Sequence, residues 1–221
     1  MNDLTLVQQY LLCAVSDGGK LTNLHSERMI GFLAGSLLTL ELAGCVTPEG
    51  KKNVSAAAPL PEELAYLRPM YDFIAKKGPV AVEKVAEEFY LGLTSKKFDQ
   101  LFNAVGESLA AQGLAAAGNP GLLGGRKSFK PVGKAVDQVV ELLRAELLED
   151  APVTEDAAAL AVLLDQGGCI KTYFSPYEQK SIREKVKSLS QSEAGKQVEN
   201  MMYFVEDLVS AMAALTVLNS L

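Results

Sequence analysis

The chain is poor in the side chains that carry most enzyme chemistry. It has one histidine, His25, among 221 residues, and a serine or cysteine triad would have to use it, as would most metal sites. A single histidine beside the start of a helix is usually structural. The sequence contains no Cys-x-x-Cys, Walker loop or His-Glu-x-x-His motif. We therefore expect neither an enzyme nor a bound cofactor or metal.

Positive charge is also scarce. The 21 Lys and Arg residues are outnumbered by 27 Asp and Glu residues, which gives a formal net charge of -6. A nucleic-acid-binding protein generally needs a basic surface, so we do not expect nucleic acid as a partner. The three cysteines are far apart and odd in number, which favours free thiols in a reducing compartment. Asn2 and Asp3 replace the basic start of a signal peptide, and we expect a cytoplasmic protein.

Long apolar runs are missing as well. The two longest, at 29–40 and 208–218, are shorter than the roughly 20 residues that span a bilayer, and we interpret both as buried helices. Apolar side chains of the first run cover every side of a helical wheel, and such a helix is buried by its neighbours. We predict a central helix over about 28–43, capped by Ser26 and ended at Gly44.

The rest of the chain is predicted to form mainly helices around this central one. Apolar spacing, capping residues and glycine or proline stops define the segments. The predicted helices cover 4–14, 61–77 with a break at Pro69, 80–90, 95–112, 136–147, 155–164, 176–189 and 193–218. The sequence has no internal repeat and no low-complexity linker, so we expect a single domain over 1–221.

Two stretches rich in turn residues interrupt the helices. Residues 45–58 contain a Pro-Glu-Gly turn and predict a small hairpin or extended pair. Residues 114–132 are too rich in glycine for a helix, and strands over 114–117 and 127–132 would flank a flexible tip. The fold class is therefore mainly α, a helical bundle around a buried central helix with one or two β-hairpins.

The tip of the second hairpin combines apolar and basic residues. Leu122 and Leu123 lie between glycines, where a core cannot easily cover them. The basic residues that follow are Arg126, Lys127, Lys130 and Lys134. This combination suits a bilayer interface, because leucines partition into the acyl boundary and cations attract anionic headgroups. The alternative is a wing-like hairpin whose leucines fold back onto the domain.

Several motifs occur in a defined order along the chain. They are Leu4-Thr5-Leu6, the buried GFLAGSLLTLELAG helix, a helix ending AAQGL at Leu114, the β-hairpin, and the late segment LAVLLDQGGCIKTYFSPYE. In this order they resemble the Golgi phosphoprotein 3 family over essentially the whole chain, and the pattern suggests a bacterial member. The resemblance implies a non-enzymatic peripheral membrane protein with a mostly helical domain.

The resemblance also implies partners. Members of the family bind phosphatidylinositol 4-phosphate and dip a hydrophobic β-hairpin into the membrane, and eukaryotic members grip the cytoplasmic tails of glycosyltransferases. Anionic lipid, including phosphatidylinositol 4-phosphate, and protein tails are therefore the expected partners. Leu122 and Leu123 would form the inserting tip. The candidate headgroup-binding residues are His25, Arg28, Arg126, Lys127 and Lys130.

The phosphoinositide pocket of the eukaryotic members is altered in this chain. The family pattern has a tryptophan and three arginines where this sequence has His25, Ala34, Asp99 and Phe102. A phosphate ester needs several convergent donors, and Asp99 would repel it. The resemblance therefore implies loose binding to anionic lipid, with Arg28, Arg126 and Lys127 as substitute cations.

Two other functions fit parts of the sequence. A helix over 95–112 followed by a hairpin matches a winged-helix nucleic-acid-binding module, although Asp99 and Glu107 offset the lysines of that helix. A protein-binding adaptor would need no lipid. An exposed apolar tip could also join two copies of the chain, so a homo-oligomer formed through the hairpin is a further expectation.

Overall fold

Helices and two small antiparallel sheets make up the fold. The computed structural model describes residues 4–50, 52–91, 96–120, 125–149, 153–190 and 210. The helices are α1 (Leu6–Ala14), α2 (Ser26–Leu42), α3 (Arg68–Lys77), α4 (Val82–Ala86), α5 (Lys96–Ala111), α6 (Ala135–Leu147), α7 (Glu155–Gln166), α8 (Ile170–Tyr173) and α9 (Pro176–Ser190). The strands are β1 (Val46–Glu49), β2 (Asn53–Ala56), β3 (Val80–Ala81), β4 (Ala115–Gly118) and β5 (Ser128–Pro131). The predicted mainly α fold with β-hairpins is confirmed.

Helix α2 is the buried centre of the fold, as its all-round apolar surface predicts. Residues 29–40 are all buried, and helices α1 and α7 pack against them. The hydroxyls of Ser36 and Thr39 are buried too, and each donates to the carbonyl four residues earlier. Their hydrogen bonds offset the cost of burying polar groups. None of the helices in the described part of the chain is long and apolar enough to cross a membrane.

The start of α2 differs from the prediction. Ser26 is the first residue of the helix, and the N-cap position belongs to His25, whose side chain makes no capping hydrogen bond. A 3-10 turn, Asn23–His25, leads into the helix, so the chain is already coiled where the cap was expected. The end of the helix agrees with the prediction, because Gly44 has a φ of +68°.

A tyrosine ring joins α1, α2 and the end of α7. Tyr10 is fully buried, and its hydroxyl donates to the Arg28 carbonyl at 3.1 Å. A Cβ atom on Gly31 or on Gly167 would clash with this side chain. The two glycines therefore leave the space that the ring fills, and burial raises the pKa of the phenol.

Aromatic rings connect the central helix to the second hairpin. Phe32 of α2 meets Phe98 and Phe102 of α5 edge-on, with ring centroids 5.6 and 6.0 Å apart. Phe129 of β5 lies 5.7 Å from Phe102, and all four rings are buried. Such contacts add specific geometry to the burial of apolar area, and they fix β5 relative to the core.

The first predicted hairpin is confirmed and belongs to a three-stranded sheet. Strands β1 and β2 pair antiparallel over their full length, and β3 adds to the sheet with Val80 opposite Val54. The helix predicted over 80–90 is therefore wrong in its bounds. Its first two residues form β3, and residues 87–91 form a π-helical turn after α4.

Several helix boundaries were predicted correctly from proline and capping residues. Pro69 lies in the first turn of α3, after a separate 3-10 segment, so the predicted break is confirmed. Thr154 caps α7 by accepting a hydrogen bond from the backbone N–H three residues later (3.2 Å). Ser175 and Glu178 form the predicted capping box of α9. The helix predicted over 193–218 lies outside the described residues, apart from residue 210, which is helical.

Candidate membrane-contact site

The candidate site is the β4–β5 hairpin. The two strands pair antiparallel up to Gly118 opposite Ser128, and the segment that joins them is the tip. Leu122 and Leu123, the residues predicted to enter the bilayer, lie outside the described residues. Their role therefore stays a prediction, and the described part of the site is the base of the hairpin.

Helix α5 holds the hairpin from one side. Phe129 is buried against this helix where Gly106 leaves room for its ring, since a Cβ atom at position 106 would clash with it. The Asn103 amide nitrogen donates to the Gly125 carbonyl (3.1 Å), and its Oδ1 accepts from the backbone N–H of Lys127 (2.9 Å). These contacts fix the chain between the tip and β5.

The loop before α2 holds the hairpin from the other side. The backbone N–H of Phe129 donates to the Gly19 carbonyl at 2.7 Å, and the Arg126 guanidinium donates to the Leu21 carbonyl. Gly19 has a φ of +69°, and a Cβ atom there would lie 2.9 Å from Cγ of Lys130. Only glycine permits this backbone conformation and this close approach.

Arg126 is turned toward the protein interior. Its Nε donates to Asp99 Oδ1 at 2.8 Å, and each of the two side chains is only 16% exposed. The guanidinium also lies over the Phe98 ring, 4.4 Å from the centroid. Shielding from water strengthens the ion pair, and the aromatic face adds attraction. Arg126 therefore anchors the hairpin to α5, with its charge matched by Asp99.

The lysines of the hairpin are more accessible than Arg126. Lys127 Nζ pairs with Glu107 Oε1 at 2.7 Å, and both side chains are partly exposed. Lys130 and Lys134 are exposed, and neither forms an ion pair with another described residue. Within the described ranges, these two lysines are the hairpin cations most open to an anion.

The other two predicted headgroup residues lie at the start of α2. His25 Nδ1 is 3.2 Å from Glu27 Oε1, and both side chains are about half exposed. Arg28 is directed toward α1, where its Nη1 donates to the Ala14 carbonyl at 3.1 Å. Its Nε is buried without a hydrogen-bond partner among the described residues. Arg28 therefore contributes to the contact between α1 and α2. It does not belong to the group of cations on the hairpin.

A comparison with protein families supports the resemblance that the motifs indicate. The family model described as Golgi phosphoprotein 3 (GPP34) matches residues 6–204, which include the central helix and the hairpin. The chain belongs to the Golgi phosphoprotein 3 family. The resemblance seen in the sequence is thereby confirmed, whereas a bacterial origin stays a prediction. No individual curated protein matches the chain.

Four positions differ from the phosphoinositide pocket expected for eukaryotic members of the Golgi phosphoprotein 3 family. His25 is exposed, and Ala34 is fully buried within α2. Phe102 belongs to the aromatic cluster, and Asp99 is paired with Arg126. Ala34, Phe102 and Asp99 carry no cationic donor, so these positions do not supply the convergent donors that a phosphate ester needs. Among the described residues no three metal-binding side chains converge either.

Sequence reasoning missed an exposed residue before α2 and an ion pair within the candidate site. Leu24, in the 3-10 turn before α2, is 90% exposed. The only sequence feature that could have indicated this exposure is that Leu24 is an apolar residue within a polar run. The pairing of Asp99 with Arg126 was not predicted, and the expected repulsion of an anion by Asp99 stays a prediction. No local pattern shows this pairing, because 27 positions separate the two residues.

Proposed function

We propose that this member of the Golgi phosphoprotein 3 family is a non-enzymatic, cytoplasmic, peripheral membrane protein that binds anionic lipid through its β4–β5 hairpin. The observation that carries the proposal is the family match over residues 6–204. The arrangement of the hairpin base supports it, because the cations there lie on a structure that is attached to the core on two sides.

The apolar part of the proposed contact is the tip of the hairpin. Phe129, Arg126 and Asn103 attach the β5 side of the tip to the core. We assign insertion to Leu122 and Leu123. Complete burial of a leucine side chain is worth about 1.5–3 kcal/mol, and an acyl boundary offers such burial.

The electrostatic part of the proposed contact comes from the lysines. Lys130 and Lys134 follow the tip in the sequence, and each cation near an anionic membrane is worth about 1 kcal/mol. Lys127 contributes less, because Glu107 already matches its charge. Arg126 contributes less, because Asp99 already matches its charge. A lysine ammonium is a point charge without the fork geometry of arginine. We therefore propose that binding follows the density of negative charge, with phosphatidylinositol 4-phosphate as one source of it.

Vesicle co-sedimentation tests the proposed function. The wild-type chain is mixed with phosphatidylcholine vesicles, with vesicles that also contain phosphatidylserine, and with vesicles in which phosphatidylinositol 4-phosphate supplies the same charge. We expect binding to both kinds of anionic vesicle, weakened by added salt because exposed charges are screened. The variant Leu122→Asp with Leu123→Asp should bind at least about tenfold more weakly.

The matched control is Leu42→Asp, which changes an exposed leucine at the end of α2 and should leave binding unchanged. Undiminished binding of the hairpin variant would contradict the proposed role of the tip. Binding only to the phosphoinositide vesicles would contradict the charge-density mechanism. Failure of the wild type to bind any vesicle would remove lipid as the ligand and leave protein tails as the expected partner.

A further inference from the structure

Leu24 is the most exposed large apolar side chain that the structure describes. It is 90% accessible, whereas the other exposed members of this group are 37–80% accessible. The residue lies in the 3-10 turn Asn23–His25 that leads into α2. Water disfavours an apolar surface of this size, so an apolar environment outside the domain would stabilise this turn.

The loop that carries Leu24 runs along β5 toward the tip of the hairpin. Gly19 is bonded to Phe129, and Leu21, two residues later, is bonded to Arg126. The loop and the strand therefore run in opposite directions. From Gly19 to Leu21 the loop therefore leads from β5 toward Arg126, which precedes the strand, and Leu24 lies three residues after Leu21.

The charges beside this turn suit an anionic surface. Lys130 is exposed and Lys20 is half-buried on the loop, and neither forms an ion pair with another described residue. Two acids lie on the same segment. Glu27 contacts His25, and Asp17 stands at the start of the loop, farther from the turn. The two lysines, one on the loop that carries Leu24 and one on β5, can therefore attract lipid headgroups.

We infer that Leu24 is a further lipid-contacting side chain, on a second segment of the chain, and that it enters the boundary between headgroups and acyl chains of the anionic bilayer that the hairpin binds. The inference rests on the proposed function and adds a contact on a segment about 100 positions away from the hairpin in the sequence. Lipid contacts on two segments would fix the orientation of the domain on the membrane, which a single tip cannot do.

A leucine at the far end of α2 provides the matched control. Leu42, at the other end of α2, is 43% exposed, and a helix of this length separates the two leucines by about 25 Å. Co-sedimentation with phosphatidylcholine–phosphatidylserine vesicles is measured for Leu24→Asp and Leu42→Asp. We expect Leu24→Asp to bind about tenfold more weakly than the wild type, and Leu42→Asp to bind normally.

A fluorescence measurement gives a second readout that does not depend on binding strength. The chain contains no tryptophan, so Leu24→Trp and Leu42→Trp each introduce a single reporter. Emission from Leu24→Trp should shift to shorter wavelength when anionic vesicles are added, because the indole leaves water. Emission from Leu42→Trp should not shift. An unshifted Leu24→Trp spectrum with vesicle-bound protein would overturn the inference.

The hairpin variant with Leu122→Asp and Leu123→Asp separates this inference from the proposed function. If that variant loses binding while Leu24→Asp binds like the wild type, the Leu24 contact is overturned and the proposed function stands. If Leu24→Asp loses binding while the hairpin variant keeps it, the Leu24 contact stands and the proposed role of the tip fails. A wild-type chain that binds no vesicle overturns both.

Discussion

Among the ion pairs that the structure describes, the pair of Asp99 and Arg126 is the least exposed. It joins α5 to the segment between the hairpin tip and β5, and Phe98 covers the guanidinium. A shielded pair contributes little over apolar packing while both members are present. Removing one member is costly, because the other charge is then left unmatched in a poorly hydrated place.

We expect Asp99→Asn to lower the free energy of unfolding by about 2–3 kcal/mol, because the Arg126 charge then lacks its partner. The measurement is chemical denaturation. The control is Glu107→Gln, which removes the partner of Lys127 from a more exposed pair and should cost less than about 1 kcal/mol. Equal effects of the two substitutions would show that Arg126 is hydrated, contrary to its position in the structure.

The cations of the hairpin show what residue-level sequence reasoning could and could not predict. Their accumulation near the tip is visible in the sequence, and so is their order. Their roles differ because of acids on α5, since Asp99 matches Arg126 and Glu107 matches Lys127. Both acids are 20 or more positions away from their partners, beyond the reach of local spacing.

Helix α9 begins with a capping box that also sets its response to acid. The backbone N–H of Ser175 donates to Glu178 Oε2 at 2.7 Å, and the Arg144 guanidinium donates to Oε1 at 3.0 Å. Together with the Ser175 hydroxyl, these bonds lower the pKa of Glu178 to about 2. At pH values above the ordinary pKa of a glutamate, the ionised carboxylate therefore stabilises the folded chain. This contribution is lost as the pH falls toward 2.

We expect the melting temperature of the wild-type chain to fall more steeply between pH 5 and pH 2.5 than that of Glu178→Gln, because only the wild type loses an ionised carboxylate at this cap. The variant should be less stable at pH 5, and the two curves should converge near pH 2. Thermal unfolding followed by circular dichroism measures both.

Glu184→Gln is the control for this comparison. It removes an acid from the same helix, where Glu184 lies 3.8 Å from Lys180 in an exposed pair. Its curve should run parallel to that of the wild type. If the curve of Glu178→Gln is also parallel to that of the wild type, the capping box does not stabilise the ionised carboxylate in solution.

At the level of elements, the sequence predicted those boundaries that local chemistry determines. The α9 capping box, the break at Pro69 and the left-handed end of α2 all follow from residues within a few positions of each other. The third strand of the first sheet was missed. Val80 pairs with Val54, and neither residue alone indicates a partner so far away in the chain.

Across the whole molecule, the three cysteines report on the integrity of the core. Cys13, Cys45 and Cys169 are free and buried, and they lie in α1, before β1 and after α7. Burial raises the pKa of the Cys13 thiol and raises that of Cys169 to about 11. The thiolate is the reactive form, so a reagent needs both access and deprotonation.

We expect the native protein at pH 8 to react with a thiol-specific reagent only as slowly as the domain opens. In guanidinium chloride all three cysteines should react at once, because unfolding exposes them and restores their ordinary pKa. Absorbance titration of the released chromophore measures both states. Rapid reaction of one thiol in the native protein would mean that its region opens locally.

The distribution of charge also bears on the winged-helix alternative. This alternative assigns α5 to a recognition helix and the hairpin to a wing. Lys97 pairs with Glu88, Arg126 with Asp99, and Lys127 with Glu107. Nucleic-acid binding depends on cations that are free to displace counterions, so these internal pairs favour a lipid surface, for which an apolar tip supplies the remaining affinity.

The Tyr10 contact places a joint constraint on the evolution of the family. Tyr10, Gly31 and Gly167 are far apart in the chain, yet one phenol ring occupies the space that a side chain at either glycine would need. A homologue that acquires alanine at position 31 or 167 must therefore carry a smaller residue at position 10. We expect the residues at these three positions to vary together among homologues. Positions 31 and 167 should be small wherever position 10 is aromatic.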